Sequence, residues 1–167
     1  DDGVAGLKLA WTDDFGFGRD YAVAETPRVI AAVREAAMRF AQIGASVDET
    51  DEQWDDYYPA FIATTAAYGH PIAIAGFQAT MTPASLAEAL DTQRRNWDRF
   101  QRVFASHDLL MSPTVPFTAP TVEAWDAIWK QTGHRHGNYM PSYAAFTHMF
   151  NIFGWPALSV PCGFVDG

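Results

Sequence analysis

The sequence is short of the features that mark several specialised protein classes. Its single cysteine, Cys162, can form no internal disulfide, which excludes a disulfide-rich secreted scaffold and favours a reducing compartment. No apolar run reaches the roughly 18 residues that a membrane helix needs, and no basic segment followed by an apolar one opens the chain. We therefore expect a soluble protein of the cytoplasm.

Basic residues are also scarce. Lys and Arg number 11 against 20 Asp and Glu, so the net charge is −9 at pH 7. A strongly acidic chain is repelled by nucleic-acid phosphates and by anionic lipid headgroups. We therefore expect neither a nucleic acid nor a membrane surface as a partner.

What the chain does contain is typical of one folded domain. Of its 167 residues, 49% are hydrophobic and 14% are aromatic, which is enough to bury a core without disulfides. The chain begins at Asp1 rather than Met, and it ends with Asp166 and Gly167, a dipeptide typical of hairpin turns, after a strand-like run. We therefore interpret residues 1–167 as a single-domain fragment of a longer protein.

The first fifty residues predict an α/β unit. Apolar and polar residues alternate over 7–11, which predicts a strand with one buried face. Thr26 and Pro27 supply a cap and a first turn for an amphipathic helix that ends at Gly44. Residues 46–50 predict a second strand, and the order strand, helix, strand is typical of α/β proteins.

The middle of the chain predicts two helices and a strand. Residues 57–74 predict a buried helix, and Thr82 with Pro83 repeats the cap and first turn of a long helix. The apolar run 108–112 predicts a buried strand. Arginines on the long helix are expected to face solvent. The residues expected to form the buried face of that helix are Leu86, Leu90, Trp97, Phe100, Val103 and Phe104.

The C-terminal third is irregular before it becomes helical. Residues 113–141 predict a long irregular segment with a short helix at 122–130, and such segments often cover functional sites. Residues 142–153 predict a helix that ends at Gly154. The apolar run 157–160, bracketed by prolines, predicts a strand.

Two segments resemble sequence elements of the amidase signature family. Residues 104–120 contain the run DLLMSPTVP, and residues 147–163 contain the more specific run NIFGWPALSVPCG. Shorter matches at 6–10 and 44–47 follow in the family's order and spacing, so the resemblance covers essentially the whole chain. It implies an α/β fold with a partial mixed β-sheet flanked by helices, the C-terminal part of an amidase-signature-like fold.

The resemblance also implies an activity for a longer parent protein. Members of the family hydrolyse C–N amide bonds with two serines and a lysine, and need no metal or organic cofactor. Those residues lie on a lysine segment and a Gly/Ser-rich signature, neither of which occurs here. The two lysines of the chain, Lys8 and Lys130, have no serine motif beside them. The resemblance therefore assigns no catalytic residue, and it implies that the parent's N-terminal part and a small amide substrate are the partners.

A substrate-binding role is implied for one helix face near the C-terminus. Thr147, Phe150, Asn151 and Gly154 recur at the spacing of a single helix face, and in the family this segment approaches the acyl side of the substrate. Trp155 would continue that wall. The alternative is that Asn151 caps the helix and Phe150 belongs to the core.

Other residues that carry chemistry are explained more simply. His134 and His136 have the spacing of a metal pair, but their glycine-flanked segment is typical of a surface loop, so no metal site is predicted. The acidic stretch 48–56 lacks the spacing of a calcium loop and predicts a solvated loop. Cys162 lies between Pro161 and Gly163 with no basic neighbour, which predicts a buried, inert thiol rather than a nucleophile.

A second hypothesis comes from a different functional class. The chain would then be a non-catalytic α/β binding or scaffold module that keeps the pocket wall of the family and lacks its chemistry. The sequence upstream of Asp1 distinguishes the two. A lysine segment followed by a Gly/Ser-rich signature favours the hydrolase, and a start codon directly upstream favours the scaffold.

Overall fold

The computed structural model describes residues 3–67, 82–132 and 144–165, and its centre is a parallel sheet. In these ranges the sheet contains β1 (Lys8–Trp11), β2 (Ser46–Glu49) and β3 (Leu109–Met111), in the order β2-β1-β3. The predicted α/β class is confirmed. Leu9, Ala10 and Trp11 are all buried, so β1 is covered on both faces rather than on one, as is usual for the centre of a parallel sheet.

The helix after β1 forms where its cap and its periodicity predict. Helix α1 spans Thr26–Met38, a 3₁₀ turn continues it over Arg39–Ile43, and Gly44 ends it with φ of +98°. The cap differs by one residue, because Glu25 occupies the N-cap position and Thr26 is the first helical residue. The hydroxyl of Thr26 instead accepts a hydrogen bond from the backbone N–H of Val23 at 2.8 Å.

Two helices, α2 (Tyr58–Ala67) and α3 (Pro83–Phe104), pack against each other between β2 and β3. The predicted N-cap of α3 is confirmed, since Thr82 and Ser85 form a reciprocal capping box. The second half of the predicted helix 57–74 lies outside the described residues.

The buried face of α3 is rotated from the predicted one. Phe100 and Val103 are buried as predicted, but Leu90, Trp97 and Phe104 are exposed. The prediction assumed that apolar residues mark the core side. Buried Asn96 instead donates from Nδ2 to the Asp55 carbonyl and accepts the Asp55 N–H, both at 2.9 Å. These bonds fix the contact face of α3, because satisfied hydrogen bonds let a polar side chain be buried.

Helix α4 spans Val122–Thr132, which confirms the short helix predicted within the irregular segment. Helix α5 covers only His148–Phe153, because residues 145–147 form a turn; residues 142–143 of the predicted helix lie outside the described ranges. Gly154 ends α5 as predicted, with φ of +65°. A left-handed residue at this position favours glycine.

Two expectations for the C-terminal segment are wrong. Residues 157–160 form no strand in the described part of the chain, and they are exposed. Cys162 is exposed rather than buried. Leu109 on β3 is also exposed, so the strand predicted to be buried is an edge of the described sheet. In each case the described residues provide no strand to cover the apolar run, and an extended segment is buried only when it has a partner.

An aromatic cluster fills the space between the sheet and the helices. The Phe15 ring lies 5.3 Å from Trp54, 6.5 Å from Phe100 and 6.2 Å from Phe146. A side chain at Gly18 would collide with the Phe146 ring, so this close approach requires glycine. Among the described residues, no helix is long and apolar enough to cross a membrane.

Candidate functional site

The carboxyl ends of the three parallel strands meet at one edge of the sheet, where ligands bind in many α/β proteins. Just beyond β1, the Asp13 carboxylate accepts hydrogen bonds from the Trp11 indole at 2.7 Å and from Arg34 at 2.6 and 3.0 Å. Arg34 also pairs with Glu49 at the end of β2. The hydrogen bond to Asp13 and the nearby carboxylates raise the pKa of Arg34 despite its partial burial. This ion network ties β1, α1 and β2 together.

Thr147 and Phe150 are the first two residues of the predicted site, and their side chains contact different parts of the protein. The Thr147 hydroxyl donates to the Ala144 carbonyl at 3.2 Å, so it is engaged by its own turn. Phe150 is half-buried, with its ring 5.9 Å from Phe15 and 5.8 Å from Phe100. Phe150 is therefore anchored in the aromatic cluster.

The other predicted residues lie at the end of α5. Asn151 and Gly154 are both exposed, and a Cβ added at Gly154 would meet no atom within 4 Å. Trp155 is half-buried and packs against Phe100 at 4.7 Å and Phe104 at 5.4 Å. The structure thus brings Phe150 and Trp155 onto one aromatic cluster, and leaves Asn151 and Gly154 facing outward beside them.

A groove of about 350 Å³ lies between α3 and α5, and it contains none of the residues predicted to bind substrate. Trp97 and Phe153 contact each other in its lining, with ring centroids 5.7 Å apart, and form one aromatic surface. In the sequence, Leu90 and Trp97 recur at helical spacing. Residues at this spacing usually belong to the core, and we expected both on the buried face of α3. The full lining consists of Leu90, Gln93, Arg94, Trp97, Ile152 and Phe153.

His148, the first residue of α5, is a neutral imidazole at neutral pH. Burial lowers its pKa to about 4, although the Asp56 carboxylate and a hydrogen bond to the Ala144 backbone favour the protonated form. Its ring lies 4.6 Å from Phe61 and 5.6 Å from Tyr58. These contacts hold α5 against α2, which is a packing role.

The acidic stretch 48–56 is attached to α3 rather than simply solvated. Asp55 accepts hydrogen bonds from Arg95 at 2.6 Å and forms an ion pair with Arg99 at 2.8 Å. Burial alone would raise the pKa of Asp55, but the two guanidinium groups outweigh it and the pKa is lowered. Glu52 pairs with Arg102, whose hydrogen bond lowers the pKa of that carboxylate. Arginines expected in solvent therefore anchor this loop.

The histidines and acids form no metal centre in the part of the chain that the structure describes. In those ranges, no three His, Cys, Asp or Glu side chains lie close enough together to hold a metal ion. His134 and His136 lie outside them. His107 Nδ1 lies 3.1 Å from the Val103 carbonyl and 3.1 Å from the Ser106 hydroxyl.

Comparison with known proteins identifies the family. The family model named Amidase matches residues 20–167. The chain belongs to the amidase signature family. Membership of this family was the expectation from the runs at 104–120 and 147–163, and it is confirmed.

Individual relatives agree with this family. The chain is 29% identical over 185 aligned positions to one component of the glutamyl-tRNA(Gln) amidotransferase of Symbiobacterium thermophilum, covering 84% of this chain and 36% of the relative. It is 23% identical to an acylamidase of Rhodococcus erythropolis, covering 98% of this chain and 37% of that one. The chain therefore spans little more than a third of the length of these relatives.

A solved structure agrees in fold. The crystal structure of a bacterial aryl acylamidase, itself an amidase signature enzyme, superposes with a TM-score of 0.66 at 18% identity. The match covers 98% of this chain and 38% of that one. At this identity the likeness establishes the fold of the chain.

Proposed function

We propose that this chain is the C-terminal part of an amidase-signature hydrolase, where it completes the sheet and forms one wall of the substrate pocket. The observation that carries the wall role is the end of α5. Phe150 and Trp155 are anchored in the aromatic cluster, while Asn151 and Gly154 lie exposed beside them. Thr147 stands at the start of the same helix. A rigid apolar base with a small polar rim is what a binding wall requires.

The parent would cleave amides through an acyl-serine intermediate. The serine oxygen attacks the carbonyl carbon, the C–N bond breaks, and the amine leaves with the proton that a lysine-serine pair relays to it. Water then hydrolyses the ester, releasing a carboxylic acid and restoring the serine. In this proposal those catalytic residues lie outside the present chain.

The contacts of Ser112 and Ser159 support that placement. Ser112 donates to the carbonyl of its neighbour Pro113 at 3.2 Å, and Ser159 shares a hydrogen bond with Thr114 at 3.1 Å. Neither contact supplies a base that could activate the hydroxyl. The proposal therefore takes the nucleophile from the parent's other part rather than from Ser112 or Ser159.

Two samples test the proposal, namely the isolated 167-residue chain and the full-length parent. Both are assayed with a panel of anilides and primary amides, and both are treated with a fluorophosphonate that labels activated serines. We expect the parent to hydrolyse at least one amide and to be labelled, and the isolated chain to do neither. Serine-reagent-sensitive turnover by the isolated chain would contradict the proposal. A parent without turnover or labelling would favour the non-catalytic scaffold.

A further inference from the structure

The four arginines of α3 fall into two groups. Arg95, Arg99 and Arg102 are held by the carboxylates of the acidic loop. Arg94 is different, because among the described residues it reaches only the Asp91 carboxylate, at 3.7 Å. That distance is too long for a hydrogen bond, so the Arg94 guanidinium keeps its donors available.

Arg94 stands on the rim of the groove between α3 and α5. The groove holds about 350 Å³, within the range of small-molecule sites. Leu90 is 49% exposed and Trp97 is 40% exposed there, which is costly apolar exposure on a helix that buries polar Asn96 instead. Gln93 adds an amide beside the guanidinium.

We propose that this groove binds a small amphipathic carboxylate. The apolar body of the ligand would lie against the rings of Trp97 and Phe153, and its carboxylate would pair with Arg94. The argument for an anion is charge complementarity. The chain carries a net charge of −9, yet the charged side chain lining this groove is a cation. A planar guanidinium donates two parallel hydrogen bonds to a carboxylate, whereas a neutral ligand would leave its donors unused.

The aromatic surface favours a flat or slender apolar body. Trp97 is supported from behind by Trp155, with centroids 4.9 Å apart, and Phe153 is supported by Trp155 at 5.3 Å. Rings held in this way provide a preformed surface, so ligand binding would require little further ordering. Neither Asn151 nor Gly154 lines this groove, and the inference goes beyond the proposed hydrolase.

The binding test uses the full 167-residue chain and 4-phenylbutyrate as the probe. The indole N–H signal of Trp97, assigned in a ¹H–¹⁵N spectrum by its loss in Trp97→Phe, is followed through a titration. A ligand of about twelve heavy atoms with ordinary efficiency should give a Kd of about 1 mM or below. We expect a saturable shift of this signal, and binding of 4-phenylbutanamide that is roughly threefold weaker, because an exposed charge pair contributes modestly.

Two arginine variants separate the specific contact from overall charge. Arg94→Gln should weaken 4-phenylbutyrate roughly threefold and leave the amide unchanged. Arg39→Gln is the matched control, since Arg39 also lies in a helical ion pair, with Glu35, and its side chain is 63% exposed against 68% for Arg94. It removes the same charge from a residue that does not line the groove and should have no effect. A well-dispersed spectrum of each variant shows that it is folded.

Several outcomes would overturn the inference. They are the absence of a saturable shift, equal affinity for the acid and the amide, and equal weakening by Arg94→Gln and Arg39→Gln. Because binding is measured without turnover, a parent that hydrolyses no amide would leave this result unchanged. The failure of the groove and the failure of the hydrolase proposal are therefore distinguishable.

Discussion

Two apolar runs of similar length, β1 and residues 157–160, have opposite environments in this molecule. Leu9 and Trp11 on β1 are almost wholly buried, whereas Leu158 is 87% exposed. The runs differ in their neighbours, because β1 pairs with both β2 and β3 and residues 157–160 have no paired strand in the described ranges. An apolar pattern therefore indicates that a segment can be buried, but the segment is buried only where partner strands pair with it.

The largest expected effect on stability comes from replacing a buried phenylalanine, compared with replacing an exposed one. Phe100 is wholly buried, and Phe164 in the C-terminal segment is 88% exposed. Phe100→Ala should lower the free energy of unfolding by about 3–5 kcal/mol through loss of buried surface and creation of a cavity. Phe164→Ala should change it by less than about 0.5 kcal/mol. Urea denaturation of the two variants measures both values, and equal losses would show that the C-terminal segment is packed in solution.

A smaller effect on the free energy of unfolding should depend on pH and should be seen at Asp55 but not in the exposed C-terminal segment. The lowered pKa of Asp55 means that its contribution to stability is present above the unfolded-state value of 3.8 and is lost as the pH falls through the folded-state value. Asp55→Asn should cost about 1 kcal/mol at neutral pH. That difference should shrink in denaturation experiments as the pH falls below 3.8.

Phe164→Ala serves as the control for the acid titration, since that residue lies in the exposed C-terminal segment. Its small difference from the wild type should not vary with pH. A pH-independent cost of Asp55→Asn would mean that the side chain acts through packing and not through its charge.

The mildest perturbation probes the C-terminal segment by labelling alone. Cys162 is exposed, so a thiol reagent should label it to one equivalent in the folded protein. Adding urea should not increase the extent of labelling. Reaction only after denaturation would place the thiol in a buried site and would restore the sequence-based expectation.

Short sequence motifs correctly predicted the features that depend only on neighbouring residues, such as the start of a helix. Thr82 with Pro83 predicted the start of α3 because a cap depends on neighbouring residues. The buried face of α3 was not predictable from periodicity, since Asn96 becomes buried only through its bonds to Asp55, 41 positions away. The exposure of residues 157–160 escaped prediction for the same reason, as strand pairing depends on distant chain.

The candidate site was predictable in part. The family resemblance singled out Phe150 and Trp155, and their anchoring in the aromatic cluster is consistent with a wall. The groove beside Arg94 was missed, because an exposed Trp97 on an amphipathic helix has the same spacing as a core residue. Only the tertiary contacts of α3 show whether a residue at this spacing lines a groove or belongs to the core.

The proposed role of α5 as a pocket wall is tested most directly by acyl selectivity in the full-length parent that we propose. The ratio of kcat/KM for a short and a long acyl amide is compared in wild type, Phe150→Ala and Phe146→Ala, with thermal unfolding measured for each. Phe146 is a matched control because its ring is wholly buried in the same cluster, 6.2 Å from Phe15. We predict that Phe150→Ala shifts the ratio by roughly tenfold or more, as expected for a pocket that selects by shape, while Phe146→Ala lowers stability and leaves the ratio unchanged. An unchanged ratio in Phe150→Ala, with a loss of stability like that of Phe146→Ala, would contradict the wall role and make Phe150 a core residue.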